Sequence, residues 1–243
     1  MKAVILAAGV ASRLRPLTND CPKCLLKVGN RSLLQRSMDA LKQNGLSEFV
    51  IVTGYLHEQI EEFVKATYPD VKVTFIHNSI YDSTNNIYSL WLARPEADGE
   101  EILLLDSDLL YDPAIIRRVL DAPEENLLTL IRHELGEEEM KVVVDANGAI
   151  TALNKTCNPA DAIGESLGIE RMGRSYTKAL YEELEVMMEK EGLSNIFYER
   201  AFERLLPKGH TYKVLDVTDL FSCELDTVED FNTAKQRIPA ELF

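Results

Sequence analysis

Residues 3–13 read AVILAAGVASR, an uninterrupted apolar run that passes into a loop of small and basic residues. An apolar run of this length is typical of a strand that is buried on both faces of a parallel sheet. Gly9 then ends the strand, and Arg13 brings a positive charge into the loop. Ligands of open α/β sheets bind beyond the carboxyl ends of such strands. The stretch therefore predicts an α/β fold and indicates where its binding site lies.

Strands and helices alternate along the chain after this first strand. Apolar runs predict further strands at 48–53, 71–77, 101–105 and 126–131. Amphipathic segments predict helices at 32–44, 58–67, 85–93 and 115–120. Such an alternation is typical of an open, mostly parallel sheet with helices on both faces.

The pattern changes beyond about residue 140. The segments predicted there are a hairpin at 141–144 and 149–153, strands at 166–170, 211–217 and 220–225, and helices at 177–191, 196–206 and 228–238. Thr227 and Asp230 predict a capping box at the start of the last helix. We therefore expect an α/β fold built on a Rossmann-like, open mixed sheet, with helices on both faces and a smaller additional lobe.

The chain is strongly acidic: its 243 residues include 26 Lys and Arg against 40 Asp and Glu, for a formal charge of −14. A duplex-binding protein needs a basic surface that displaces counterions, and an anionic membrane repels an acidic protein. No apolar run reaches the ~18 residues of a spanning helix. We therefore expect no nucleic-acid partner and no membrane insertion. Small anions can still bind, because a local basic cluster can exist inside an acidic protein.

The four cysteines include one pair with C-x-x-C spacing, Cys21-Pro22-Lys23-Cys24. A zinc site would need a second pair or a nearby pair of histidines, which the sequence lacks. A redox motif would have to lie between a strand and a helix. We favour a third explanation, in which all four are reduced thiols of a cytoplasmic protein.

The loop from Gly9 to Cys24 concentrates small and basic residues. Small residues let the backbone approach a ligand closely, and successive amides can bind phosphate oxygens. Arg13 adds a planar guanidinium that can contact two phosphate oxygens, and Lys23 adds a mobile ammonium. The loop is not a Walker P-loop, and it has one of the three glycines of a dinucleotide-binding fingerprint, which argues against a dehydrogenase. It predicts a site for a specific anion.

Two segments together carry a resemblance to a known family: LAAGVASRLRPLT at 6–18 and PKCLLKV at 22–28. They are similar to nucleotidyltransferases that join nucleoside triphosphates to phosphorylated small molecules, including sugar-1-phosphate nucleotidylyltransferases and bacterial phosphocholine cytidylyltransferases. The resemblance implies a fold of the nucleotide-diphospho-sugar transferase type and the nucleotide-binding residues Leu6, Ala8, Gly9, Ala11, Ser12, Arg13 and Lys23. It also implies catalytic roles for Arg13 and Lys23. The family usually has glycine where this chain has Ala11.

Two acidic segments follow predicted strands or belong to them. Asp106-Ser107-Asp108 follows the strand at 101–105, and Glu224-Leu225-Asp226 precedes the last helix. Turns and helix caps commonly contain aspartate, so each segment alone has a simpler explanation. Beside a phosphate-binding loop, however, carboxylates at a strand end can hold Mg²⁺ together with substrate phosphates. The resemblance implies Asp106 and Asp226 as Mg²⁺ ligands, with Asp108 as a further candidate.

The run YDSTNNIYSLW at 81–91 is unusually polar and aromatic. A helix cap followed by a core stripe explains Ile87 and Leu90, but asparagine side chains can also donate to and accept from a nucleobase edge. The run resembles the phosphocholine-type cytidylyltransferases more than the sugar enzymes. This implies CTP as the nucleotide, bound by Thr84, Asn85 and Ser89.

The acceptor side is less constrained by the sequence. A lysine in the sugar enzymes contacts the acceptor phosphate, and Lys155 lies in the matching place. A choline-like acceptor would be held by aromatic faces and carboxylates. We expect the acceptor-binding residues Asn86, Tyr111, Lys155, Glu165 and Tyr198, with Tyr176, Phe197 and Glu199 as further candidates.

These expectations combine into one hypothesis. A single domain spans 1–243, with a nucleotide-binding part at about 1–135 and 220–243 and an acceptor-binding lobe at about 140–215. It carries out Mg²⁺-dependent transfer of CMP from CTP to a small phosphorylated or phosphonate head group and releases pyrophosphate. The alternatives are a sugar-1-phosphate or inositol-phosphate nucleotidylyltransferase and a non-catalytic nucleotide-binding regulator. A homodimer is left open.

Overall fold

The computed structural model describes residues 1–242. Its strands are β1 (Lys2–Ala7), β2 (Lys27–Val28), β3 (Arg31–Ser32), β4 (Glu48–Thr53), β5 (Lys72–His77), β6 (Ile102–Asp106), β7 (Leu109–Tyr111), β8 (Leu127–Ile131), β9 (Lys141–Val144), β10 (Ile150–Asn154), β11 (Ala162–Met172), β12 (Lys213–Asp216) and β13 (Ser222–Glu224). Its helices are α1 (Leu33–Gln43), α2 (His57–Thr67), α3 (Asn86–Leu92), α4 (Arg94–Ala97), α5 (Ala114–Asp121), α6 (Arg174–Glu185), α7 (Glu199–Leu205) and α8 (Val228–Arg237).

Within these residues, nine strands form one mixed sheet. Its parallel part has the order β6-β1-β4-β5, and Ile5 of β1 lies opposite Ile51 of β4 and Leu105 of β6. The long strand β11 then pairs antiparallel with β6, β8 and β9, which extends the sheet on that side. The carboxyl ends of β1, β4, β5 and β6 consequently share one edge.

The two faces of the sheet bury two separate cores. Val4 and Leu6 of β1 face one core, whose helical residues come mainly from α3, α6 and α7. Ala3 and Ile5 face the other core, which is covered by α1, α2 and α5. This alternation follows from the period of two residues in a strand. Both faces of β1 are therefore shielded from water, as its apolar sequence requires.

A third, smaller core fixes the loops beside the sheet edge. Leu14, Leu26 and Leu33 pack there against Leu225 and Phe231. The core therefore joins the loop after β1 to the start of α8. Arg13, Lys23 and Asp226 lie in or beside the segments that this third core joins.

The structure confirms the predicted α/β class, the mixed sheet and the helices on both faces. The capping box of Thr227 and Asp230 is present at the start of α8. β11 is longer than the predicted strand at 166–170, because it pairs with three neighbours along its length. The short strand β7 was not predicted, since the sequence there gives only three strand residues. Within residues 1–242, every helix is too short or too polar to cross a membrane.

Candidate functional site

A cavity of about 440 Å³ opens where the parallel strands end. It is lined at the ends of β1 and β6 by Ala8, Gly9, Asp106 and Asp108. The loop after β1, the start of α3, β11 and the segment before α8 form the remaining walls. The location matches the one predicted from residues 3–13.

The loop after β1 adopts a tight, internally bonded conformation. Ala11 has φ 51° and ψ 51°, in the left-handed region that favours glycine. Its carbonyl oxygen accepts hydrogen bonds from Leu14 N and from Thr18 Oγ1, both at 3.0 Å. The turn that follows presents the exposed Arg13 toward the cavity. The position where the family usually has glycine is therefore one where the backbone uses glycine's freedom.

Lys23 lies between two carboxylates of the cavity. Its Nζ is 3.0 Å from Asp108 Oδ2 and 2.6 Å from Asp226 Oδ1, and its side chain is only 12% exposed. Arg13 Nη2 lies 2.5 Å from the other oxygen of Asp226. Burial alone would lower the pKa of Lys23, but the two carboxylates outweigh it and raise that pKa. Burial would likewise raise the pKa of Asp226, but Lys23 and Arg13 lower it. The basic and acidic residues predicted from separate motifs thus meet at one point.

Two neighbouring residues, Tyr198 and Gly168, constrain the carboxyl group of Asp106. Tyr198 Oη donates to Asp106 Oδ2 at 2.9 Å. Gly168 of β11 has φ +76°, and a Cβ at this position would lie only 2.7 Å from the same oxygen. Burial and the nearby carboxylates raise the pKa of Asp106 well above its usual range, although the hydrogen bond from Tyr198 opposes this. Asp106 is therefore fixed in place, but among residues 1–242 no positively charged side chain pairs with it.

The cavity wall has the donors that Mg²⁺ prefers. Four carboxyl groups line it in this region, those of Asp106, Asp108, Glu224 and Asp226. Within residues 1–242, no three histidine, cysteine or acidic side chains form a preassembled metal site. Mg²⁺ is commonly held by one or two carboxylates together with substrate phosphates, so a complete protein cage is not required. The raised pKa of Asp106 indicates a shortage of positive charge that a cation would relieve. The residues present therefore fit Mg²⁺.

The start of α3 and the loop before it form a polar end of the cavity. Asn78 is 1% exposed and follows β5 directly. Its Nδ2 donates to Thr84 Oγ1 at 3.1 Å and to Ser89 Oγ at 3.2 Å. Asn85 caps α3, with its Oδ1 accepting from the next backbone amide. The predicted nucleotide-binding residues Thr84, Asn85 and Ser89 all line the cavity here.

The opposite wall is formed by the end of β10, by β11 and by the start of α7. Lys155 Nζ lies 4.6 Å from the centroid of the Phe197 ring. Glu199 is 6% exposed, its Oε2 has no hydrogen-bond partner in the described chain, and burial raises its pKa to about 7. Glu165 contacts His133 Nε2 at 2.7 Å through its Oε2. Lys155, Phe197, Glu199 and Glu165 all line the cavity, and because the sequence predicted them as acceptor-binding residues we call them the acceptor wall.

Lys141 supports this wall from inside. The side chain is buried, at 1% exposure, and its Nζ donates to the carbonyl oxygens of Lys155 (2.7 Å), Glu139 (3.3 Å) and Glu137 (3.5 Å). Each carbonyl belongs to a loop that borders the cavity. Lys141 therefore ties the end of β10 to the loop at 137–139.

The structure places three of the predicted residues away from the cavity lining. Tyr111 is 5% exposed and packs in the core beneath α1 and α5, because β7 pairs with β13 and turns it inward. Tyr198 is fully buried and supports Asp106, so its ring offers no face to a ligand. Ser12 is exposed on the turn next to Arg13 but does not line the cavity. Tyr176, a weaker candidate, also lies in a core.

The remaining predicted residues do line the cavity: Leu6, Ala8, Gly9, Ala11, Arg13, Lys23, Asn86, Asp106, Asp108, Lys155, Glu165 and Asp226. Asn86 is shared, because its Oδ1 accepts a hydrogen bond from Tyr198 N. In the C-x-x-C pair, Cys24 lies on a 3-10 turn and Cys21 precedes that turn. Among residues 1–242 the cysteines are unpaired.

The sequence interpretation missed several residues that line the cavity or support the segments around it. Asn78 and Gly54 each follow a parallel strand directly, and this position at a carboxyl end was a signal that could have identified them. A Cβ at Gly54 would lie 2.6 Å from the carbonyl oxygen of Ala8. Gly168 and Lys141 had no such signal, because their roles depend on partners far away in sequence.

Comparison with known proteins places this geometry in a family. Residues 3–201 match the family model described as "MobA-like NTP transferase domain". A Campylobacter jejuni protein named CTP:phosphoglutamine cytidylyltransferase is 26% identical over 250 residues, covering 95% of this chain and 97% of that protein. A Streptomyces rubellomurinus protein named CMP-5'-(3-aminopropyl)phosphonate synthase is 28% identical over 247 residues, and this match covers 98% of the chain but 38% of the relative.

Among solved structures, CTP:phosphocholine cytidylyltransferase from Streptococcus pneumoniae has the same fold. Its TM-score is 0.80 at 21% identity, and the match covers 98% of this chain and 99% of that one. The family model covers most of the chain, including the loop after β1, Lys23 and Asp106. This chain therefore belongs to the family of MobA-like NTP transferase domains and is a nucleotidyltransferase.

Proposed function

We propose that this protein transfers CMP from CTP to a small phosphorylated or phosphonate acceptor and releases pyrophosphate. The observation that carries the proposal is the meeting of Arg13 and Lys23 with Asp108 and Asp226 at the carboxyl edge of the sheet. Cations for a triphosphate and carboxylates for a metal ion are thereby combined in one cavity. The names of the Campylobacter and Streptococcus proteins support CTP as the donor.

The reaction requires little covalent chemistry from the protein. An ionised oxygen of the acceptor forms a bond to the α-phosphorus, and the bond from this phosphorus to the oxygen that bridges to the β-phosphate breaks in line. Pyrophosphate leaves with the electron pair of that bond. Because the attacking oxygen is already ionised, no proton has to be removed from it. Arg13 can donate two N–H groups to phosphate oxygens, and Lys23 supplies a mobile positive charge. Positioning and charge neutralisation then account for the rate.

Asp106 and Asp226 are the residues that would hold Mg²⁺, with Asp108 as a third candidate. When bound, Mg²⁺ would neutralise phosphate charge and polarise the α-phosphate. Asn85 offers the N–H groups of its side-chain amide to the base at the polar end of the cavity, and Asn78 holds Thr84 and Ser89 in place there.

Pyrophosphate release tests the proposal directly. Four nucleoside triphosphates are each combined with phosphocholine, 2-aminoethylphosphonate, glucose-1-phosphate and inositol phosphate, with Mg²⁺ and with excess chelator. We expect turnover when CTP is combined with phosphocholine or 2-aminoethylphosphonate, and we expect this turnover to be lost when the chelator removes Mg²⁺. Turnover restricted to a sugar or inositol phosphate would favour the sugar-type alternative. Binding of CTP without pyrophosphate release would favour a regulator.

A matched pair of variants links this activity to the cavity. Asp226→Asn removes a carboxylate that contacts Lys23 and Arg13. Asp216→Asn removes a carboxylate that pairs with Arg132 at the end of β12, outside this cavity. We expect the first to lose most turnover while remaining folded and the second to keep it. Equal turnover of both variants would contradict the proposed role of Asp226.

A further inference from the structure

The acceptor wall contains a carboxylate that lacks a partner. Glu199 is 6% exposed, and within residues 1–242 its Oε2 makes no hydrogen bond. Among the neighbouring carboxylates, Glu165 pairs with His133 and Asp106 accepts from Tyr198. Glu170 Oε2 also has no hydrogen-bond partner within residues 1–242, but Glu170 does not line the cavity, whereas Glu199 does. A buried carboxylate oxygen without a donor is costly, because it has lost water and gained nothing in return. Glu199 therefore points to a ligand that brings an N–H or O–H donor.

The wall offers few aromatic faces. Phe197 is 42% exposed and lines the cavity. Among residues 1–242 the other aromatic residue on the lining is Tyr81, which lies beside Gly54. Tyr111 and Tyr198, which the sequence made candidates, are buried. A quaternary ammonium has no N–H group and is recognised by cages of several aromatic rings. Within the described residues, the acceptor wall has a single ring.

The acceptor wall includes an ammonium group of its own, that of Lys155. Lys155 Nζ lies over the Phe197 ring, at 4.6 Å from its centroid, and 3.8 Å from Glu138 Oε2. The wall therefore accommodates a positively charged nitrogen that bears N–H donors. It does so with the aromatic face of Phe197 and the neighbouring carboxylate of Glu138, rather than with a cage.

We propose that the acceptor carries a protonated amine with N–H groups, which donates a hydrogen bond to Glu199, and that the site prefers it over a quaternary ammonium. The inference rests on the proposed function, because it concerns the acceptor of that reaction. The substrate class is thus a small phosphate or phosphonate ester or acid with a primary or secondary amine, rather than a choline derivative.

A methylation series isolates this property. Phosphoethanolamine, its N-methyl and N,N-dimethyl derivatives and phosphocholine carry the same phosphate and the same positive charge, but the number of N–H groups falls stepwise to zero. The measurement is kcat/KM for each acceptor by pyrophosphate release with saturating CTP and Mg²⁺. We expect kcat/KM to fall along the series by at least about tenfold between the first and last members.

The variant Glu199→Gln tests whether this residue sets the preference. The change keeps the shape of the side chain and removes its charge. We expect a loss of at least about tenfold in kcat/KM for phosphoethanolamine, a smaller loss for phosphocholine, and an unchanged KM for CTP. Glu191→Gln, which removes an exposed carboxylate paired with Arg204, serves as the control and should leave the series unchanged.

The outcomes separate the inference from the function on which it rests. A flat or rising series in the unmodified protein would overturn the amine preference and leave cytidylyl transfer intact. An equal loss for all four acceptors in Glu199→Gln would overturn the assignment to Glu199. Absence of turnover with every acceptor and triphosphate would overturn the proposed function and the inference together.

Discussion

The variant Gly168→Ala adds one methyl group beside the carboxyl group of Asp106. Gly168 lies in β11 with φ +76°, and an added Cβ would be 2.7 Å from Asp106 Oδ2. Ordinary van der Waals contact begins at 3.4 Å, so the carboxylate must retreat by about 0.7 Å. The hydrogen bond that Tyr198 donates to this oxygen, 2.9 Å long, would be stretched or broken by the same movement.

The expected cost has two parts. An L side chain in the left-handed region costs about 1–2 kcal/mol. Leaving the buried Tyr198 hydroxyl and the Asp106 oxygen without their hydrogen bond costs about 1–3 kcal/mol. The free energy of unfolding should therefore fall by about 2–4 kcal/mol, since the two costs add only in part when they share one movement. For a chain of this size, each kcal/mol lowers Tm by about 2–4 °C, which predicts a fall of about 5–15 °C.

Gly148→Ala is the matched control for this variant. Gly148 has φ +79° in the turn between β9 and β10, and a Cβ there meets no atom within 4 Å. The control therefore carries the backbone strain of about 1–2 kcal/mol without any displacement of Asp106. Both variants are measured by urea and thermal unfolding and by pyrophosphate release. We expect Gly168→Ala to be the less stable and to lose at least about tenfold in turnover, while Gly148→Ala keeps its activity.

Two results would refute this reasoning. Equal destabilisation of the two variants would show that Asp106 moves without cost. Unmodified turnover of Gly168→Ala, in a protein that is as destabilised as expected, would show that the position of Asp106 does not matter for the reaction.

Three further predictions concern other parts of the chain. Lys23→Met removes the cation between two carboxylates and should lower pyrophosphate release by about 10²–10³-fold while the chain keeps cooperative thermal unfolding; turnover close to that of the unmodified protein would contradict its role. Lys141→Met releases the carbonyl of Lys155 and should raise the KM for the acceptor by about tenfold, with no change for CTP, in steady-state kinetics; equal effects on both substrates would indicate general damage. Hydrogen bonds from Thr218 lower the pKa of Asp216 to about 2, so the stability from its ionised form is present above its ordinary pKa and is lost as the pH falls toward 2. Asp216→Asn should therefore be less stable than the unmodified protein in urea at pH 7, by under about 1 kcal/mol because the pair is exposed, and the two should converge near pH 2; a constant difference would exclude the linkage.

The fold and the core of the site were predictable because their signals are local. The apolar run of β1 has one stable environment, the middle of a parallel sheet, and its carboxyl end fixes the edge where ligands bind. The residues around Arg13, Lys23, Asp106 and Asp226 follow strand ends or precede α8, so the topology alone brings them together. Their pairing needed no knowledge of side-chain packing.

The acceptor side was predicted less well for a physical reason. An aromatic residue has the same apolar signal whether it faces a core or a cavity. Tyr111 turns inward because β7 pairs with β13, more than a hundred residues away in sequence, and this pairing leaves no local trace. The buried position of Tyr198 likewise depends on distant residues, because its backbone N donates to Asn86 and its Oη donates to Asp106. Contacts of this kind between distant segments determine which side chains a cavity exposes.

The structure explains how this chain tolerates Ala11 at a position where its family usually has glycine. The residue keeps the left-handed conformation that glycine would adopt freely, at a cost of about 1–2 kcal/mol. Such strain persists only where the surroundings over-determine the backbone. Here Thr18, which is fully buried, donates to the Ala11 carbonyl, and Leu14 N donates to the same oxygen. Because these bonds hold the carbonyl, the loop keeps its shape with a methyl group where glycine is usual. The substitution therefore costs stability without displacing Arg13 from the cavity.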